Sequence, residues 1–186
     1  MLFRSSSFIV TNGTHPEVIR KLWADHQLPT QLYVTLAAPT KESYLRICRP
    51  LEAGTWEKLL ETMQLLPQLP CRTVVRITAV KYLNLESNLI QDFVNVLKAG
   101  LPNFIDIKGF TVEASALKMQ KRFKGDHDLR DYIPTHQDLL QFAQELCRVG
   151  GFEILESHET SRDILLRGSW PQGKSIKIDY SDPSQL

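Results

Sequence analysis

The chain predicts an α/β fold, a mainly parallel sheet with helices packed outside it. Three observations carry this. Strand-like and helix-like segments alternate along most of the 186 residues. The connections between successive strands are long enough for the crossovers that parallel pairing needs. The internal strands each have one apolar side and one mixed polar side, whereas strands covered by helices on both faces are apolar throughout.

"SFIVTNG", residues 7–13, reads as a short apolar strand ended by an Asn-Gly turn. "PEVIRKLWADH" (16–26) follows as a helix, with Pro16 suited to its first turn and Val18, Ile19, Leu22 and Trp23 on one face. "QLYVTLAA" (31–38) is the second strand. "TKESYLRIC" (40–48) is a short helix with Thr40 as its cap and Ser43 behind it. "GTWEKLLETMQLL" (54–66) places Trp56, Leu59, Leu60 and Met63 at helical spacing.

"CRTVVRITAVK" (71–81), rich in Val, Ile and Thr, is the third strand. "NLIQDFVNVLKAG" (88–100) is a helix with Gly100 suited to its stop. "NFIDIKGFTV" (103–112) is the fourth strand. "THQDLLQFAQELCRVGG" (135–151) begins with a Thr-x-x-Asp cap and ends at paired glycines. "FEILES" (152–157) and "DILLRGS" (163–169) form a closing hairpin. The tail from Trp170 reads as loosely structured apart from "KSIKIDY".

Strand side chains alternate between two faces. In the third strand one face carries Arg72, Val74, Arg76, Thr78 and Val80. The second strand offers Gln31, Tyr33 and Thr35, and the fourth Asp106 and Lys108. Arginine is rarely buried without a partner, so this face is wet or holds something anionic. A polar concave face is expected of a barrel or half-barrel that binds a ligand, with its working groups at the carboxyl ends of the strands. Asn12, Ala37, Lys81 and Gly109 occupy those ends.

Bulk properties narrow the classes. The length suits one domain with a real core. A net charge of +1 gives no global pull toward nucleic acid or anionic membrane, so such a partner needs a local patch. There is no apolar region suited to a signal peptide and no run of membrane-spanning length. Cys48, Cys71 and Cys147 lie far apart, with no CxxC pair, zinc spacing or disulfide framework. The expectation is a cytoplasmic protein with reduced thiols and no membrane partner.

Each candidate site has a bland alternative. "TNGT" (11–14) either presents Thr11 and Asn12 to a ligand or is a plain turn. Arg76 and Lys81 either bind a carboxylate or phosphate or form structural ion pairs, for example with Asp106 or Glu113. "KMQKRFKG" (118–125) either holds a nucleic-acid backbone beside the Phe123 ring or is a solvated loop. The histidines have no metal-ligand spacing, and no P-loop, GxGxxG or Ser-His-Asp order is present.

A set of segments in order gives more. "FIVTNGTHPEVI", "PTQLYVTLAAPTKESYLRICRPL", "RTVVRITAVKYLN", "PNFIDIKGFT", "IPTHQDLLQFAQEL" and "FEILESHETSRDILL" together resemble the radical S-adenosylmethionine (SAM) enzymes that make 4-demethylwyosine in tRNA. The resemblance implies a partial (β/α) barrel of radical SAM type. Residues 1–169 would supply strands three to six of its core and a C-terminal hairpin, and residues 170–186 an extension. It implies lyase-type chemistry that joins carbons from pyruvate to N1-methylguanosine-37 of tRNA-Phe, with SAM and [4Fe–4S] clusters as cofactors.

The family's CxxxCxxC motif is absent from this sequence, so the resemblance places the cluster ligands on a cluster-bearing N-terminal half or partner chain. The chain alone is then expected to be inactive. By position, Thr11, Asn12, Thr35, Arg76 and Thr78 would bind the cofactor. Arg49, Lys81, Lys108, Ser115, Lys121 and Arg122 would face substrate or tRNA. No catalytic residue and no metal ligand is assigned. The competing expectations are another radical SAM enzyme with a different substrate, and a non-catalytic module that binds tRNA or protein.

Overall fold

The computed structural model describes residues 6–112 and 128–179. Its strands are β1 (Phe8–Thr11), β2 (Gln31–Thr35), β3 (Arg72–Ala79), β4 (Phe104–Gly109), β5 (Glu153–His158) and β6 (Asp163–Arg167). The helices are α1 (Pro16–Ala24), α2 (Lys41–Cys48), α3 (Thr55–Leu65), α4 (Ile90–Gly100) and α5 (His136–Gly150). The six strands form one sheet in the order β1-β2-β3-β4-β6-β5. β1 to β4 pair in parallel, and the β5–β6 hairpin joins β4 antiparallel through β6. The fold is mixed α/β, with helical connections between the parallel strands and a closing hairpin, as the alternation predicts.

The helices cover one face of the sheet. Leu32, Val34, Val75, Ile77, Ile105, Ile107, Ile164 and Leu166 alternate along β2, β3, β4 and β6, and each is almost wholly buried. They join one core with Leu59, Met63, Phe93, Leu97, Leu139 and Leu146 from the helices. This is a period of two meeting a period of 3.6. Capping boxes Thr40–Ser43 and Thr135–Asp138 start α2 and α5 where the sequence places them.

Two glycines fix close approaches. Gly13 follows β1 with φ +72°, and a Cβ there would lie 2.7 Å from Leu59 Cδ1 and 2.9 Å from Val34 Cγ1. The Thr62 hydroxyl donates to its carbonyl at 2.7 Å, so α3 is pinned to the mouth of β1. Gly100 does not stop α4 by its backbone. The left-handed residue is Leu101, at φ 40°, and Gly100 is small because Met63 Cε would lie 2.6 Å from an added Cβ.

Two expectations need correction. Five of the strands are shorter than the runs that predict them, and the sixth, β5, is shifted by one residue, although Leu36 and Phe110, just past β2 and β4, still donate to β3 carbonyls. The segment after β6 has no regular secondary structure up to residue 179, yet it is anchored. Trp170 is 9% exposed and packs with Val74 and Phe104 on the face the helices leave uncovered. Phe104 and Trp170 have ring centroids 5.1 Å apart. Apolar area buried by single side chains holds this segment, which no period in the sequence marks.

Candidate functional site

The sheet face opposite the helices carries the polar residues that the alternation assigns to it. Its lower part, at the amino ends of β3 and β4, is covered by the segment after β6. Arg72 lies there, its guanidinium 4.7 Å from the Trp170 ring centroid, donating to the carbonyls of Ile176 and Lys177. In the upper part Thr35, Arg76 and Thr78 are only half-buried among the described residues.

Arg76, two pleat repeats higher on the same face, pairs in register with Asp106 of β4. Its Nε donates to Asp106 Oδ2 at 2.7 Å. Its guanidinium carbon sits 4.8 Å from the centroid of the Tyr33 ring on β2, and Phe8 of β1 meets that ring edge-on at 6.3 Å. Burial pushes the Tyr33 hydroxyl above its usual range, the charge of Asp106 adds to this, and Arg76 opposes it. Nη1 and Nη2 of Arg76 make no hydrogen bond to any described residue.

Thr35 is in register with Arg76 and Thr78 with Lys108, so both stand on the same open face, half-buried. Lys108 Nζ donates to Asp163 Oδ2 at 3.0 Å and to the Ser161 carbonyl at 2.7 Å, locking the hairpin tip to the end of β4. Burial works against the Asp163 carboxylate, but hydrogen bonds from Lys108 and Ser161 prevail and hold it below the usual carboxylate range. The open face thus carries two ion pairs side by side, Arg76–Asp106 and Lys108–Asp163.

Other expected site residues lie elsewhere. Thr11 is in register with Val34, on the helix side of the sheet. Its Oγ1 accepts from Gly13 N, and Asn12 Oδ1 accepts from both the backbone N–H and the hydroxyl of Thr14. Their side chains brace the turn. Lys81 turns toward α5, its Nζ 3.5 Å from Asp138 Oδ2. It borders a cleft of about 310 Å³, lined also by Tyr82, Glu86 and Phe142, that shares no residue with the open face. Arg49 caps α2 in the left-handed region, with its side chain exposed. Ser115, Lys121 and Arg122 lie outside the described residues.

Sequence reasoning missed Tyr33 as the support of Arg76, and Asp163 and Ser161 as the partners of Lys108. Tyr33 stands diagonally across from Arg76 on adjacent strands, a spacing within reach of an aromatic ring. Once β2 and β3 are aligned in parallel, that signal is readable. The hairpin partners depend on β6 inserting between β4 and β5, which no local pattern announces.

Parallel strands covered by helices on one face, closed by an antiparallel hairpin, define a mixed α/β domain. A family model described as Wyosine base formation matches residues 99–167. The S-adenosyl-L-methionine-dependent tRNA 4-demethylwyosine synthase of Pyrococcus horikoshii is 32% identical over 180 residues, covering 92% of this chain and 50% of that protein. The Homo sapiens synthase is 35% identical over 166 residues, covering 87% of this chain and 20% of that protein. A solved structure of TYW1 with a lysine–pyruvate adduct bound superposes with a TM-score of 0.72 at 28% identity, covering 88% of this chain and 47% of that one. A crystal structure of archaeal TYW1 gives 0.66 at 26%, covering 88% and 46%.

The chain is similar to one part of the tRNA 4-demethylwyosine synthases. It spans about half the length of the Pyrococcus relatives it matches.

Proposed function

We propose that this chain forms one part of the active site of a radical SAM enzyme that converts N1-methylguanosine-37 of tRNA-Phe and pyruvate to 4-demethylwyosine. The observation that carries the reading is the open fork of Arg76 on the uncovered sheet face, within a chain related to enzymes named for their dependence on S-adenosylmethionine. The residues present fit that cofactor. It carries a carboxylate, which an arginine fork binds in two parallel hydrogen bonds. Its ribose hydroxyls suit Thr35 and Thr78, whose hydroxyls make no bond to another described residue. Bound S-adenosylmethionine supplies the hydrogen-abstracting chemistry of the family.

The residues do not fit an iron–sulfur cluster. Cys48 ends α2, Cys71 precedes β3 and Cys147 lies on α5. Among the described residues no three His, Cys, Asp or Glu side chains form a metal-binding group. Cluster ligands would come from a cluster-bearing half or partner chain, and the free edge of β1 is where further sheet would join.

Lys108 and Lys81 act here as fixed cations beside the strand ends. Each is held by a carboxylate, an arrangement suited to steering pyruvate or a tRNA phosphate rather than attacking as a free amine. Arg49, Ser115, Lys121 and Arg122 supply further tRNA contact. Among the described residues no helix is long and apolar enough to cross a membrane, and we place the protein in the cytoplasm.

The test is a titration of the chain with S-adenosylmethionine, followed by backbone amide NMR. Shifts confined to the open face, with affinity reduced about tenfold by Arg76→Ala, are expected. Absence of any shift at millimolar cofactor would end the reading. So would a [4Fe–4S] spectrum with radical activity after reconstitution of the chain alone.

A further inference from the structure

We propose that Tyr33, Arg76 and Asp106 form a carboxylate clamp, in which Arg76 makes the contact and Asp106 and Tyr33 are positioning residues. The inference rests on the cofactor-binding reading above and goes further, assigning roles to two residues that make no contact of their own with the ligand.

Two constraints fix the guanidinium. Asp106 accepts from Nε at 2.7 Å, which pins the group at its base within its own plane. The Tyr33 ring, 4.8 Å from the guanidinium carbon, supports one face of that plane. Phe8 backs the ring on its far strand. What remains are Nη1 and Nη2, four N–H donors in a planar fork with no partner among the described residues. An arginine fork held this way matches a carboxylate bidentately, at little further cost in side-chain ordering.

A plain structural ion pair accounts for less. Arg72 lies on the same strand and face, and both of its Nη atoms are engaged by backbone carbonyls. Arg76 spends only Nε, although its side chain is 32% exposed and that of Asp106 12%. Asp106 is central in the sheet, between β3 and β6. A partly buried carboxylate placed to take only Nε leaves the fork intact, whereas an end-on pair would consume it. The chemistry recognised is a carboxylate, borne either by the methionyl end of S-adenosylmethionine or by a small 2-oxo acid such as pyruvate.

The test follows the Arg76 Nε–H resonance during titration with S-adenosylmethionine, its decarboxylated analogue and pyruvate. Wild type should bind S-adenosylmethionine about tenfold more tightly than the decarboxylated analogue. Asp106→Asn and Tyr33→Leu should erase that preference while leaving the analogue's affinity unchanged. Asp106→Glu should restore part of it, and Tyr33→Phe, which keeps the ring, all of it. If pyruvate alone moves the resonance in an Asp106-dependent way, the clamp stands with the 2-oxo acid as its ligand.

Full retention of the carboxylate preference in both Asp106→Asn and Tyr33→Leu would overturn the positioning roles. If Arg76→Ala, titrated with the same ligands and followed by the backbone amides of the open face, loses the preference, the cofactor reading survives that failure. If Arg76→Ala also keeps it, the Arg76 assignment falls with the clamp. Should Asp106→Asn fail to fold, the contrast between Tyr33→Leu and Tyr33→Phe decides alone.

Discussion

The Arg72 guanidinium lies 4.7 Å from the centroid of the Trp170 ring, and Lys174 Nζ lies 4.6 Å from the same ring. The same arginine donates to two carbonyls, Ile176 at 2.7 Å and Lys177 at 3.2 Å. The chain's own C-terminal segment therefore satisfies one of the two arginines on the open face of β3 and closes the lower half of that face. Arg76, four residues on, keeps its Nη donors without a partner among the described residues. One strand thus carries a guanidinium engaged by the chain itself and another held at Nε alone.

Removing the ring should loosen this segment without unfolding the helix-covered core. Trp170→Ala deletes a side chain that packs on Val74 and Phe104, at a cost of about 3 kcal/mol in urea unfolding. Arg72→Met leaves two carbonyls without their donor and should cost about 1 to 2 kcal/mol. Because the two side chains touch, the double variant should lose less than the sum. Strict additivity would show that the stacked geometry contributes nothing.

Gly13→Ala should be among the more damaging single-methyl additions. The left-handed backbone costs an ordinary residue about 1 to 2 kcal/mol, and the new methyl meets Leu59 and Val34 inside normal contact distance. Thr62→Val, which removes the hydroxyl bonded to the Gly13 carbonyl, should cost about 1 kcal/mol. A Gly13→Ala protein with unchanged thermal stability would show that this turn relaxes freely.

The elements were legible because their periods are clean. The alternation in residues 72–79 and the spacing of Leu59 and Met63 or Phe93 and Leu97 predict both the strand or helix and the face it buries. The polar face was legible for the same reason, since a side chain's face follows from parity alone. The ion pair of Arg76 with Asp106, the bland alternative the sequence offered, forms through the parallel register. What parity cannot give is Lys108 meeting Asp163, which follows from an antiparallel insertion 55 residues later. Trp170 was unreadable because a single aromatic after the last strand has no period. Thr11, named for its place at a strand end, lies on the helix side of the sheet because the parallel register sets it beside Val34.

Cysteine reactivity should separate by burial. Burial pushes the thiols of Cys71 and Cys147 up to about 11, the backbone slightly opposing it at Cys71 and the charge of Glu153 adding to it at Cys147. Both should alkylate slowly near neutral pH, and more slowly than the exposed Cys48, because the thiolate is the nucleophile. A folded value above the unfolded one means that the stabilising contribution is complete below about pH 8.5. It is then lost as pH rises toward the folded value. Stability should fall between those limits, and Cys71→Ser with Cys147→Ser should flatten the fall. A pH-independent stability across that window in the native chain would contradict the burial argument.

The outer edge of the sheet makes the last prediction. β1 lies at the end of the strand order, with no neighbour on its far side among the described residues. It presents Phe8 at 69% exposure, Ile9 at 39% and Val10 at 48%. An unpaired, apolar parallel edge is a template for further strands, and the chain spans only about half of its Pyrococcus relatives. In isolation the chain should self-associate through this edge, with a concentration-dependent mass in sedimentation equilibrium. Ile9→Lys or Val10→Lys places a charge where a partner strand would lie and should return the protein to monomer, while Val18→Lys, exposed on α1, should not. Addition of a chain that completes the sheet should compete with self-association and protect the β1 amides from hydrogen exchange. A native chain that stays monomeric at high concentration, with β1 amides already protected, would mean that this edge is closed in a way the exposed side chains do not suggest.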